Sequence, residues 1–178
     1  MKFSKVIHRV PRPFSDSLGD ETAQLFGDHP KEVRDFIKGV AGTSPYLKSL
    51  IEKEFQWLND ALSNSGNVLE PIILSTPPDK TISYALRQAK RRVALWTAFC
   101  DLAGIWSLEK VTNTLTNFAD HAVSLALNLA IQRQAERKQI PSFDVEKGPD
   151  TAGMFVLAMG KMGAGELNYS SDIDLICL

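Results

Sequence analysis

GMFVLAMGKMGAGELNYSSDIDLICL, residues 153–178, is where the sequence departs from a helical pattern. Met154 to Met159 form an unbroken apolar run, the signature of a strand covered on both faces. Gly160 and Lys161 end the run. Gly163 and Gly165 follow, and a short polar stretch through Glu166 and Asn168 leads to Ser170 and Ser171. The last residues, DIDLICL, return to a strand pattern that carries two acids.

Those acids set the chemistry. Side chains alternate along a strand, so Asp172 and Asp174 project from one face while Ile173, Leu175 and Cys177 point the other way. Strand rise puts the two carboxylates ~6–7 Å apart. At an effective dielectric near 20 their repulsion is ~2.5 kcal/mol. A divalent cation relieves it, and hard oxygen ligands suit Mg²⁺, which takes one or two carboxylates plus phosphate oxygens. The glycine turn supplies the other half. Without side chains, backbone N–H groups at Gly160 and Gly163 can come close to phosphate oxygens, and Lys161 adds a positive charge. The P-loop pattern is absent. Strand, glycine turn, short helix and acid-bearing strand together form a device for holding a nucleotide phosphate against a metal.

Working outward, residues 139–152 read as a linker, QIPSFDVEKGPDTA being rich in proline, glycine and charge. Residues 30–138 read as helical. A helix from Pro30 is expected to end near Gly39 or Gly42. Ser44-Pro45 reads as an N-cap followed by proline at the first helical position. One helix is then expected through Leu47, Leu50, Ile51, Glu54, Leu58 and Leu62, all apolar except Glu54. After a proline-rich connector, Asp79 is the expected cap of a long helix with Ile82, Leu86, Ala89, Val93, Trp96 and Ala103 on its apolar face. Ser107 caps the next, whose stripe Val111, Leu115, Phe118, Ala122, Leu125 and Leu129 is widened by Val123, Leu127 and Ile131. A stripe that wide packs against more than one neighbour, as in a helical bundle. The cluster Arg87, Lys90, Arg91, Arg92 reads either as a solvated face or as a surface for a partner or a phosphate. Residues 1–29, with two prolines and no sustained period, read as an irregular arm.

Composition is that of an ordinary globular protein, 44% apolar and 23% charged, with a net charge of −1. Nothing in that balance points to nucleic acid or to an anionic membrane. The longest apolar run, residues 93–106, is interrupted by Asp101 and too short to span a bilayer. The N-terminus has no signal-peptide core, so the cytoplasm is the expected location. Cys100 and Cys177 read as reduced core residues. Trp57, Trp96 and Trp106 read as core. His8, His29 and His121 have no partner at ligand spacing, and no serine sits in a nucleophile elbow.

GKMGAGELNYSSDIDLICL closely resembles the signature of the bifunctional glutamine synthetase adenylyltransferase/adenylyl-removing enzymes, members of the polymerase-β-like nucleotidyltransferase superfamily. A looser resemblance runs back through RRVALWTAFCDLAGIWSLEKVTNTLTNFADHAV to SPYLKSLIEKEF. It implies a mostly α chain leading into the start of an α+β nucleotidyltransferase domain at residues 153–178. In that family one half removes AMP from a tyrosine of glutamine synthetase by phosphorolysis, releasing ADP, and the other attaches AMP from ATP. ELNYSSDIDL, placed behind an N-terminal helical region, is similar to the removing half. The resemblance makes Asp172 and Asp174 the metal-binding, catalytic aspartates. It places Gly160, Lys161, Gly163 and Ser171 at the nucleotide-binding turn, with lysine where the superfamily has serine. It implies Mg²⁺ as cofactor, and glutamine synthetase, a PII-type signalling protein, nucleotide and phosphate as partners. The superfamily's third carboxylate would come from a later strand, so the chain reads as an N-terminal piece that is inactive alone. The competing reading is a helical protein-interaction module, or a degenerate fragment, without catalysis.

Overall fold

A computed structural model describes residues 2–73, 75, 81–140 and 152–178. The expected cap Asp79 and most of the expected linker lie outside them. The described chain is mostly α, with one small antiparallel sheet at its end.

The N-terminal arm is irregular only in part, residues 6–15 lying in neither helix nor strand. Phe3–Lys5 form a 3-10 turn and Asp16–Gln24 form α1. Phe3 is fully buried. Its ring meets Phe36, Trp96 and Phe99 with centroids 5.5, 5.5 and 6.0 Å away. A single aromatic that plugs a preformed cluster leaves no period in the sequence, which is why pattern reading passes over it. Further along, the amides of His8 and Arg9 both donate to the carbonyl of Ala103.

α2 spans Lys31–Thr43 and so ends one residue past Gly42, and the same arm packs against its last turns. A Cβ on Gly39 would sit 2.0 Å from the carbonyl oxygen of Pro11, and one on Gly42 would sit 2.6 Å from that of Ser15. These glycines are contact points where the arm crosses the helix. Gly39→Ala is therefore expected to lower stability by about 1–3 kcal/mol, since backbone must shift to make room. A melting curve unchanged from the parent would contradict that crossing.

Ser44 then caps α3 (Pro45–Lys53), its hydroxyl accepting from the Leu47 amide at 3.2 Å. The single helix expected over 45–62 is broken at Glu54, and α4 (Phe55–Ser63) begins after it. Glu54 is the acid on the otherwise apolar face, and its side chain is only 2% exposed. Arg91 Nε donates to one of its oxygens and Arg92 Nε to the other, each at 2.7 Å. Arg92 also lies over the Trp57 ring, 5.3 Å from its centroid. A short α5 (Glu70–Ile73) precedes α6 (Ile82–Leu102), which supplies the centre of the core through Val93, Leu95, Trp96 and Phe99. Ser107 caps α7 (Leu108–Glu136), which packs along α6. No helix of the described residues is long and apolar enough to cross a membrane.

The cysteines part company. Cys100 is buried in α6, and burial pushes its thiol up to about 12. Cys177 is exposed, contrary to its reading as a core residue. At pH 8 a thiol-specific reagent is expected to label Cys177 promptly and Cys100 only after denaturation. Rapid labelling of both in the native protein would contradict this burial.

Candidate functional site

The site is built on two short strands and the turn between them. β1 (Val156–Ala158) and β2 (Leu175–Cys177) pair antiparallel, Val156 facing Cys177 and Ala158 facing Leu175. At one end Phe155 and Leu178 exchange both backbone hydrogen bonds; at the other, the Met159 amide donates to the Asp174 carbonyl at 2.9 Å. That last bond fixes the backbone of Asp174 beside the turn that begins at Gly160. Gly160 has φ +55°, and a Cβ there would lie 3.7 Å from Asp174 Oδ2. Glycine at this position thus serves the left-handed backbone and leaves the carboxylate close to the turn.

Gly160–Gly163 form α8, one turn long. Gly163 is held for packing: a Cβ on it would fall 2.3 Å from the Ala158 carbonyl oxygen. Lys161 is exposed. Ser171 is committed locally, its hydroxyl donating to Asn168 Oδ1 at 2.9 Å and standing 3.1 Å from the Asn168 amide. The regular strand starts at Leu175, so Asp172 and Asp174 lie just before β2 and not within it. Both are exposed, and among the described residues neither forms an ion pair. Their two carboxylates are donors of the kind Mg²⁺ prefers. The described residues bring no third histidine, cysteine or acid to them.

The expected two-sided covering of β1 is not found. Phe155, Leu157 and Met159 remain 44–50% exposed, as do Ile173 and Ile176 to a similar degree. Helix α7 and Met162 of α8 line a hollow beside the ladder.

Two residues that the sequence reading missed, Tyr169 and Leu167, tie this site to the helices. The Tyr169 hydroxyl donates to Asp101 Oδ2 of α6 at 3.3 Å. Burial, followed by the neighbouring Asp101 carboxylate, pushes the Tyr169 phenol well above its ordinary range, so it stays a donor. The Leu167 amide donates to Thr116 Oγ1 of α7 at 3.4 Å, with the Leu167 side chain buried. Residues 166–171 are therefore a strap held down on both long helices just before Asp172. The contacts join residues 68 and 51 positions apart, and only the presence of Tyr169 inside the motif hints at them.

The described chain is a mostly helical body that ends in a strand, a glycine turn and a second strand with two acids just before it. Comparison with known proteins places it in a family. The family model described as glutamate-ammonia ligase adenylyltransferase matches residues 34–178. Proteins named bifunctional glutamine synthetase adenylyltransferase/adenylyl-removing enzyme are similar to the chain. The one from Bradyrhizobium sp. strain BTAi1 is 38% identical over 151 residues, covering 80% of this chain and 15% of the relative. Its counterpart from Rhodopseudomonas palustris strain BisB5 is 34% identical over 176 residues, covering 91% and 18%. That from Caulobacter vibrioides is 39% identical over 143 residues, covering 76% and 14%. No solved structure matches. The chain belongs to the glutamate-ammonia ligase adenylyltransferase family. It spans less than a fifth of the length of these curated relatives.

Proposed function

We propose that this chain contributes two metal-binding carboxylates, Asp172 and Asp174, to a nucleotidyltransferase that removes AMP from a tyrosine of glutamine synthetase. The observation that carries the reading is the pair itself. Two exposed acids sit one residue apart, free of cationic partners among the described residues, with Asp174 held by its backbone against the Gly160 turn. Unpaired acids so close in sequence repel each other unless something positive joins them.

Asp172 and Asp174 would hold Mg²⁺, which when bound neutralises charge on the attacking and leaving oxygens of a phosphoryl centre. The chain's own groups do the rest. Gly160 keeps the turn open beside Asp174, and Lys161 offers an exposed cation to an incoming phosphate. The strap anchored by Tyr169 and Leu167 fixes where the acids stand relative to the helices. In the reaction an oxygen of inorganic phosphate bonds to the AMP phosphorus and the bond from that phosphorus to the tyrosine oxygen breaks. The products are ADP and a phenolate, which takes up a proton readily because its conjugate acid has a pKa near ~10.

The test uses a protein of the relatives' length that includes this sequence, given adenylylated glutamine synthetase with and without phosphate. The expected product is ADP, formed in proportion to phosphate. Release of free AMP at a rate indifferent to phosphate would show hydrolysis and defeat the phosphorolytic reading.

A further inference from the structure

The fold splits the basic cluster of α6. Arg91 and Arg92 are spent on Glu54. Lys90 is exposed and forms no ion pair with any described residue, and it stands on the rim of a hollow of about 230 Å³. The floor is apolar: Val93 and Ala94 of α6, Phe118 of α7 and Leu167 of the strap, all buried. Asp172 and Asn168 share the rim with Lys90. Asn168 has a fixed orientation. Its Oδ1 accepts from the Ser170 amide at 3.1 Å, the Ser170 hydroxyl at 3.2 Å and the Ser171 hydroxyl at 2.9 Å. Its Nδ2 is left as a donor with no partner among the described residues.

A slot of this size is smaller than the usual pocket for a drug-sized ligand and suits one flat ring system. Apolar walls favour a heterocycle, and the Asn168 amide provides a donor for a ring nitrogen. A lone cation at the mouth favours an anion attached to that ring. We propose that the hollow takes the purine ring of an adenosine 5′-phosphate, with Lys90 on the phosphate. In that pose the phosphate lies at the rim that Asp172 also lines, where the candidate metal would meet it. The choice of an adenosine phosphate rests on the proposed AMP-removing function; the hollow, the lysine and the amide do not.

Calorimetric titration of the full chain with AMP, in EDTA, tests the idea apart from any metal. AMP is expected to bind, with adenosine about tenfold weaker. Lys90→Ala, a change at an exposed position, should bring AMP down to the adenosine level and leave adenosine unaffected. Ala119→Leu, which pushes a larger side chain into the hollow from α7, should weaken both at least tenfold while Mn²⁺ binding persists. No AMP binding, or AMP binding indifferent to both substitutions, overturns the proposal. So does inorganic phosphate binding as tightly as AMP, which would mean an anion contact at Lys90 alone, or phenyl phosphate binding more tightly than AMP. If AMP binds as expected in EDTA but the chain binds no Mn²⁺, the hollow stands and the metal reading falls.

Discussion

Asp174→Asn, introduced into a protein of the relatives' length, is expected to slow ADP release from adenylylated glutamine synthetase by at least ~10²–10³-fold, the scale for removing one preorganised electrostatic contact in a transition state. Asp172→Asn should do the same. Asparagine keeps the shape and one oxygen but removes the charge that draws a divalent cation. The geometry makes these clean substitutions. Both side chains are exposed, and neither is in an ion pair among the described residues, so no described salt bridge is lost. What fixes Asp174 in place is its backbone carbonyl, bonded to Met159, and asparagine retains it. The melting temperature of either variant should therefore stay within a degree or two of the parent. Loss of activity accompanied by loss of folding would indicate a structural role.

The second large effect is expected at Glu54. Glu54→Gln is nearly isosteric, yet it replaces one acceptor with an amide donor facing an arginine Nε–H. A buried acid with two charge-assisted bonds is costly to disrupt, commonly about 3–5 kcal/mol when one partner is removed. Arg91 and Arg92 are 31% and 26% exposed and can turn towards water. We expect about 3 kcal/mol, the lower end of that range, or roughly 6–12 °C in melting temperature for a chain of this length. Glu54→Gln with an unchanged melting curve would mean that the α3–α4 break is held by apolar packing alone.

These two sites also show what could and could not be read from the sequence. Ser44-Pro45 and Ser107 were legible because capping is local: each serine bonds to an amide three residues on. Glu54 was visible only as a flaw in an apolar stripe. The arginines that explain it are 37 and 38 residues away, a distance no periodicity reports. A helix end near Gly42 was legible because glycine commonly follows a helix, but the arm from residues 11–15 that presses on Gly39 and Gly42 was not. Phe3 and α1 went unseen for the same reason, since their order comes from tertiary contact. At the site, Asp172, Asp174 and Gly160 stood out because acids and glycines interrupt an apolar pattern. The strap did not: Tyr169 and Leu167 gain meaning only from Asp101 and Thr116. The exposed face of β1 was misread too, because an apolar run shows what a strand is suited to bury against and not what lies over it.

Electron paramagnetic resonance of Mn²⁺ titrated into this chain goes most directly to the claim that Asp172 and Asp174 act together on a metal. The free-ion signal should fall with about one equivalent bound, weakly, and Mg²⁺ should restore it by competition. Asp172→Asn and Asp174→Asn should each abolish the effect, while Glu166→Gln, an exposed acid on the same loop, should leave it intact. A signal that falls equally in all four proteins, or in none, would contradict the account.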